Sequence, residues 1–393
     1  MQKLPAWVAI DLDNLVWNIQ RTRDFLDPSV RILLTVKADA YGHGALPIAR
    51  AAVREGVHML GVATLDEGIE LRDGGVEAPI LILSPILPEE IPEVLKRRLA
   101  VTVSTRTFAR AAGEKAVSLG SSLPVHVEVD TGMGRTGIAA RFAVEEVGAV
   151  AGFPGIELRG VYTHFPSSDV DLDFSVEQIR SFGEIVEELA GRGVRPEYVH
   201  AANSAAILNL AGSHFNMVRP GLMIYGHRPS THLSPRLDLR PVMSFRSELI
   251  QVRRMPEGAS VSYGRTFVAR RPTVMGIVPV GYGHGYGYRL SNRARVLFRG
   301  RRIPVIGRVT MDMTMVDLTD FEQPNVGEEV VLFGPQGEER ITVEEVAAWA
   351  DTLNYEVLCG ISKRVVRVYL SRGEVEGYKT LLGFRSEGDR LGS

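Results

Sequence analysis

Ile32-Leu-Leu-Thr-Val36 is a short, mostly apolar run, and Lys37 follows it directly. Seven more such runs come after it: Met59–Ala63, Ile80–Leu83, Ala100–Val103, Val125–Val129, Leu158–Tyr162, Tyr198–Ala201 and Phe215–Arg219. Each has the length of a strand, and most are rich in Val, Ile and Leu, as strands covered on both faces are. Longer amphipathic stretches separate them. Asp13 is placed to cap a helix that runs to Leu26 and is ended by Pro28, and Phe174–Gly191 has helical spacing with a glycine stop. Eight strands alternating with helices predict a parallel (β/α)8 barrel of the TIM type. Periodicity alone leaves an open doubly wound sheet as the alternative.

From Pro241 the texture changes. Alternating runs at Met243–Val252, Thr273–Val280, Arg295–Phe298, Arg302–Val305, Met313–Leu318 and Glu329–Phe333, several separated by glycine-containing turns, predict antiparallel β structure. Thr342-x-x-Glu345 is a capping box that opens one short helix to about Leu353. The division expected is a barrel over 1–240, a mainly antiparallel β unit over 241–380, and a solvated tail over 381–393.

Composition narrows the class of function. The 393 residues are 45% apolar and 23% charged, enough for a sizeable core. Lys+Arg is 45 and Asp+Glu is 47, so the net charge of −2 gives no reason to expect nucleic acid or an anionic membrane as partner, and it does not oppose self-association. Cys359 is the single cysteine, so no intrachain disulfide can form. No 20-residue apolar stretch and no signal-type leader occurs, so a cytoplasmic enzyme or binding protein is the expectation.

In a barrel, chemistry sits where the strands end. The first run is followed by Lys37-Ala-Asp-Ala-Tyr41-Gly-His43-Gly, the fifth by Asp130-Thr-Gly-Met-Gly134-Arg135, and the sixth by His164. His200-Ala-Ala-Asn203-Ser204 covers the seventh, and Arg219-Pro-Gly221-Leu222 follows the eighth. A lysine directly after a buried strand is costly unless it is paired or used, and linkage to an aldehyde cofactor removes its charge. Position alone does not separate that reading from a strand-end lysine reaching solvent. Ser204 and the amides near Gly221 suit the phosphate site that barrels build from their seventh and eighth loops. Arg219 could donate to a pyridine nitrogen, with His164 holding it. Gly132-x-Gly134-x-x-Gly137 matches a dinucleotide fingerprint only weakly, and Asp130-Thr-Gly has no second copy. The series Gly281, Gly283, Gly285, Gly287 reads as a loop where backbone meets another surface. No HExxH, CxxC pair or GxSxG occurs, so no metal and no serine nucleophile is assigned.

Taken in order, these segments resemble the bacterial alanine racemases, fold-type III enzymes dependent on pyridoxal 5'-phosphate (PLP). The resemblance runs nearly end to end. It rests on Val36-Lys37-Ala-Asp-Ala-Tyr41-Gly-His-Gly, Asp130-Thr-Gly-Met-Gly-Arg135, Tyr162-Thr-His164, His200-Ala-Ala-Asn203-Ser204, Arg219-Pro-Gly221, Val261-Ser-Tyr263-Gly and Gly307-Arg308 through Met311-Asp312. It implies that Lys37 carries PLP and exchanges the α-proton on one face, and that Tyr263 of a second subunit is the opposite base. Tyr41, Ser204, Gly221 and Leu222 would bind the phosphate and Arg219 the ring nitrogen, with His164 and Asn203 also in the cofactor site. Arg135 and the Met311 backbone would bind substrate carboxylate, with Asp312 in support. Alanine as substrate, a homodimer with shared sites and D-alanine supply for peptidoglycan are implied in the same way.

Three positions depart from the pattern. Glu128 stands where many relatives have a lysine that becomes carbamylated, so it is expected to be a built-in carboxylate supporting Arg135. Lys363 stands where relatives often have tyrosine, and His284 where they commonly have aspartate. Both bear on substrate range. Alternative readings are a racemase of another or broader range, a fold-type III PLP decarboxylase, and a PLP carrier.

Overall fold

All eight apolar runs become parallel strands. The structure, a computed structural model, describes residues 5–229 and 237–386. In chain order the first strands are β1 (Ala6–Asp11), β2 (Arg31–Thr35), β3 (Met59–Val62), β4 (Ile80–Ile82), β5 (Ala100–Val103), β6 (Leu123–Asp130), the two-residue spur β7 (Ile138–Ala139), β8 (Ile156–Tyr162), β9 (Tyr198–His200) and β10 (Met217–Val218). The pairing order is β5-β4-β3-β2-β10-β9-β8-β6, and a further β5–β6 pairing, with Val101 opposite Val125 and Val103 opposite Val127, closes the ring. The open-sheet alternative is thereby removed. Leu33, Leu34, Leu60, Val62, Leu81, Val101, Val125 and Val127 are fully buried. Each such side chain stabilises the fold by about 1.5–3 kcal/mol. Leu33, Met59, Leu81, Tyr198 and Met217 pack as one cluster contributed by five of the strands.

This barrel unit comprises residues 16–40 and 45–239, and the second unit comprises residues up to 15, 41–44 and those from 240 onward. The second unit is β-rich as expected, but it also holds β1, which the expected boundary at 240 had grouped with the barrel. β1 lies between two strands of one sheet, antiparallel to Met243–Glu248 and parallel to Val366–Ser371. The sequence Ala-Trp-Val-Ala-Ile-Asp alternates buried and half-buried along its length, the signature of a strand with one covered face, not of a barrel strand. A separate three-stranded sheet of Gln251–Met255, Thr273–Val278 and Thr314–Asp317 contributes to a core of Met255, Val261, Met275, Ile277, Ile306 and Met315. Part of the expected tail is ordered: Gly383–Ser386 pairs with Glu374–Thr380, and the rest lies outside the described residues.

The capping box forms as read. Thr342 Oγ1 accepts the Glu345 N–H (3.2 Å) and Glu345 Oε2 accepts the Thr342 N–H (2.8 Å), opening the helix Val343–Ala350. The first helix starts earlier than expected, at Leu12, so its cap is Asp11, whose carboxylate accepts the Asn14 N–H (2.9 Å). Asp13 instead accepts from the Arg372 N–H (2.6 Å). Among the described residues no helix is long and apolar enough to cross a membrane.

Candidate active site

The segment after Lys37 is left-handed. Ala38, Asp39, Ala40 and Tyr41 have φ of 53°, 54°, 53° and 52°. Non-glycine residues pay roughly 1–2 kcal/mol each for this conformation, so the turn persists only because its surroundings hold it. Glu67 Oε1 accepts the Ala38 N–H (2.7 Å), Asp39 Oδ1 accepts the Ala45 N–H (2.8 Å), and the Val36 carbonyl accepts the Ala40 N–H (2.8 Å). Lys37 is the hinge residue between β2 and this turn.

Arg219 follows β10 and is 6% exposed. Its Nη1 meets His200 Nδ1 (2.8 Å); its Nη2 meets the carbonyls of Thr163 (2.8 Å) and Ala201 (3.1 Å) and His164 Nδ1 (3.2 Å). The Tyr162 ring lies under the guanidinium, 4.9 Å from its carbon. Arginine only donates, so both histidines accept at Nδ1 and carry their proton on Nε2. His200 Nε2 then donates to His126 Nδ1 (2.8 Å). Burial, with Arg219's charge next, pushes the pKa values of His126 and His164 down to about 3 and that of His200 well below its usual value. Burial also lowers Arg219 to about 10, which leaves it charged at neutral pH. The charges of Arg219, Arg135 and Lys37 all bear on His164, so four of the expected residues share one neighbourhood.

The buried guanidinium still has open donors. Three of its hydrogen bonds use Nη2 and a fourth uses one N–H of Nη1, and among the described residues nothing accepts from Nε–H or the second Nη1–H. A group bound here must offer an acceptor, which an unprotonated pyridine nitrogen does. At the phosphate end the Ser204 hydroxyl accepts from the amides of Gly221 (2.9 Å) and Met223 (3.4 Å), next to Leu222, which is 1% exposed. Asn203 is used locally: its side-chain oxygen caps Ser204–Asn209 through the amides of Ala205 (3.1 Å) and Ala206 (3.0 Å). With its oxygen taking both amides, the Ser204 hydroxyl is turned to donate outward, which fits a phosphate dianion. The residues present therefore fit the cofactor at both ends.

The loop after β6 is shaped by Asp130, whose carboxylate accepts the amides of Gly132 (2.9 Å) and Gly134 (3.1 Å). The three glycines that mimic a nucleotide fingerprint all have positive φ here and serve this turn. Glu128 is 3% exposed and accepts from Ser104 Oγ (3.2 Å). It makes no ion pair with Arg135, which is exposed and has no ion-pair partner among the described residues. Glu128's charge does act on both Tyr162 and Arg219: it adds to the burial that raises the Tyr162 pKa and opposes the burial that lowers that of Arg219.

In the second unit Tyr263 is 74% exposed and Met311 53%. The glycine loop does meet backbone: a Cβ on Gly281 would stand 2.0 Å from the Thr310 carbonyl, and one on Gly285 would stand 2.3 Å from that of Gly360. Tyr282 N–H donates to Thr310 (3.0 Å) and Gly283 N–H to Met311 (2.9 Å), so this loop carries the Met311 backbone. Asp312 pairs with Arg364 (2.8 Å), and His284 Nδ1 accepts the Gly281 N–H (3.3 Å). Lys363 is exposed. Tyr41 is 8% exposed, and burial raises its hydroxyl pKa, with the Tyr355 and Cys359 side chains adding to the effect. Gly42 and Gly44 are needed where they stand: φ is +81° and +97°, and a Cβ would strike the Leu358 carbonyl (2.2 Å) or the Tyr369 hydroxyl (1.8 Å). Arg367, 3% exposed, ties the same segment by donating to the Gly42 carbonyl (3.1 Å).

Sequence reasoning passed over Glu67, His126 and Arg367. His126 had a visible signal, a polar residue two positions from Glu128 within an apolar run. Glu67 was hidden because Thr64-x-x-Glu67 reads as an ordinary capping box.

Polar residues gathered at the carboxyl ends of a closed parallel barrel, joined in one chain to an antiparallel β unit, define a two-domain barrel enzyme. Residues 10–229 match the family model for the alanine racemase N-terminal domain, and 242–369 that for the alanine racemase C-terminal domain. The chain belongs to the alanine racemase family. It is 41% identical to alanine racemase 2 of Caldanaerobacter subterraneus subsp. tengcongensis, over 96% of this chain and 98% of that protein. It is 42% identical to the alanine racemase of Carboxydothermus hydrogenoformans, over 93% of this chain and 100% of that protein. Among solved structures, the Clostridium difficile 630 alanine racemase superposes with a TM-score of 0.92 at 36% identity, covering 97% of this chain and 99% of its own. The Bartonella henselae enzyme, solved with covalently bound pyridoxal phosphate, superposes with a TM-score of 0.84 at 26% identity, covering 93% of this chain and 100% of its own.

Proposed function

We propose that the protein interconverts L-alanine and D-alanine with PLP, as a homodimer in the cytoplasm, and so supplies D-alanine for peptidoglycan. The carrying observation is Arg219: buried, charged, braced by neutral histidines and still holding two open N–H groups. When bound, PLP supplies an electron sink for the charge left at Cα, and an unprotonated ring nitrogen keeps that sink weak, which suits returning the proton over further chemistry.

The protein's own groups do the rest. Lys37 would hold the cofactor until the substrate amine takes its place, and its freed Nζ would then take or give the α-proton on one face. Tyr263 of the partner subunit does so through its phenolic oxygen on the other; the high exposure of this residue in the single chain leaves it available to a second subunit. Two bases on opposite faces invert the centre without either crossing it. Tyr41, Asn203, Ser204, Gly221 and Leu222 bind or support the phosphate end. Arg135 and the Met311 backbone orient the substrate carboxylate, with Asp312 holding Arg364 close by.

The test is D-alanine formation from L-alanine by the PLP-loaded protein, with Lys37→Ala as control and serine and lysine run in parallel. D-alanine from the wild type alone supports the reading. Turnover of another amino acid in place of alanine discards the substrate, and carbon dioxide release instead of racemisation discards the reaction. A broader range is the second reading, favoured by the exposed cation Lys363 beside the Arg364–Asp312 pair. Lys363→Tyr compared across the same amino acids decides it.

A further inference from the structure

We infer that Glu67 is a positioning residue for Lys37; this rests on Lys37 being the cofactor lysine. Glu67 belongs to the first turn of the helix Leu65–Asp73, and its own N–H donates to Thr64 Oγ1 (3.3 Å). A capping box would return the carboxylate to the Thr64 N–H. Here it goes elsewhere. Oε2 accepts the Ala63 N–H (2.6 Å) and Oε1 the Ala38 N–H (2.7 Å).

Those two amides follow neighbouring barrel strands. Ala63 is the first residue after β3, and Ala38, next to Lys37, is the third after β2. The two strands pair in register, Leu33 with Met59, Leu34 with Leu60 and Thr35 with Gly61. One carboxylate therefore braces the ends of two neighbouring strands, and one of its bonds fixes the first residue of the left-handed turn. Both bonds are charge-assisted and short.

The geometry makes Glu67 more than a loop anchor. The backbone direction immediately after Lys37 sets where its Cα–Cβ bond points, and Ala38–Tyr41 adopt a conformation their residue types do not favour. On the other side of the turn Asp39 fixes Ala45. Remove the Glu67 acceptor and Ala38 N–H loses its partner, so the turn can relax toward the right-handed region and carry the Lys37 side chain with it.

The test uses PLP-loaded, full-length Glu67→Gln and Glu67→Ala. Glutamine keeps one acceptor oxygen but turns an NH2 toward the second amide, so at most one bond survives. Expected for Glu67→Gln is a roughly tenfold lower kcat with KM for alanine changed less than about threefold. Hydroxylamine should strip PLP from that holoenzyme at least about fivefold faster, and the pH midpoint of the lysine-bound cofactor's visible band should move by at least about half a unit. Glu67→Ala should show the same changes, enlarged. A merely structural residue would lower the melting temperature and leave stripping rate, band midpoint and the kcat-to-KM split unmoved; that result overturns the inference. Should Glu67→Ala not fold, Glu67→Gln decides alone. Lys37→Ala separates the two readings: a Lys37→Ala protein that still racemises sinks the role of Lys37, whereas an inactive Lys37→Ala beside wild-type-like Glu67 variants sinks only the role of Glu67.

Discussion

Arg219 Nη1 lies 2.8 Å from His200 Nδ1, and that one contact fixes the protonation of the next ring along. The guanidinium cannot accept, so His200 holds its proton on Nε2 and gives it to His126. The chain ends at His126 Nε2, which is buried and meets no acceptor among the described residues. All three histidines that surround or extend from Arg219 are thereby kept neutral.

That neutrality makes stability depend on pH. Unfolded, these histidines protonate near 6.5, whereas in the folded protein His126 and His164 stay neutral down to about pH 3. Between those values the unfolded chain binds more protons, so acid favours unfolding. Each histidine contributes up to about 1.4 kcal/mol per pH unit of lost stability below pH 6.5. Urea midpoints for the wild type should fall steeply from pH 6.5 to 5 and be flat, as regards these groups, above pH 7. His164→Gln should show a shallower slope, and an unchanged slope would remove His164 from the account.

Gly160 should not tolerate a methyl group. A Cβ there would stand 2.3 Å from His126 Nδ1, the atom that accepts from His200. Gly160→Ala is expected to cost about 1–3 kcal/mol from overpacking, seen as a lower urea midpoint. It should also weaken the hold on Arg219, seen as a shifted visible band of the PLP-loaded protein. Wild-type values for both would show that the ring can move without cost.

Glu128 reaches Ser104, not Arg135, so its contribution runs through charge at Arg219 and Tyr162. Glu128→Gln removes that charge while keeping the shape. We expect kcat/KM to fall about tenfold, equal to roughly 1.4 kcal/mol of transition-state stabilisation. Added bicarbonate should leave the wild type unaffected, because a carboxylate is already in place. Unchanged steady-state kinetics in the variant would dismiss the role.

Gly281→Ala should act on substrate binding. Its Cβ would press on the Thr310 carbonyl at 2.0 Å and the Met311 carbonyl carbon at 2.7 Å, both backbone atoms that no rotamer change can clear. The Met311 segment must shift, and KM for alanine should rise about tenfold with a smaller change in kcat. A KM equal to wild type would separate Met311 from the carboxylate.

The barrel was legible because each of its strands is an apolar run covered on both faces, and each is followed by polar residues at one end. β1 was not, since Ala6–Asp11 alternates and precedes the repeat; its partners lie hundreds of residues away, beyond any local pattern. Lys37 and Arg219 could be singled out from their place after strands, but the roles given to them came from the resemblance and not from position. The turn that presents Lys37 could not, because nothing in Ala-Asp-Ala-Tyr announces left-handed backbone. Nor could the second use of Glu67, since its spacing satisfies a local rule while its carboxylate serves a distant amide. The glycines of the 281–285 loop were legible as points of close approach, though not as the support of Met311.

The placement of β1 has a consequence for the newborn chain. Its antiparallel neighbour begins at Met243 and its parallel neighbour at Val366. At ribosomal speeds of about 5–20 residues per second, β1 waits roughly 20–70 s for the second of them. The barrel strands have all emerged by Val218 and can pair meanwhile. Throughout that interval β1 is a strand with an edge open to any other chain nearby. Translation that stops between Val218 and Val366 therefore releases a molecule whose barrel strands are all present but whose β1 edge remains a template for aggregation.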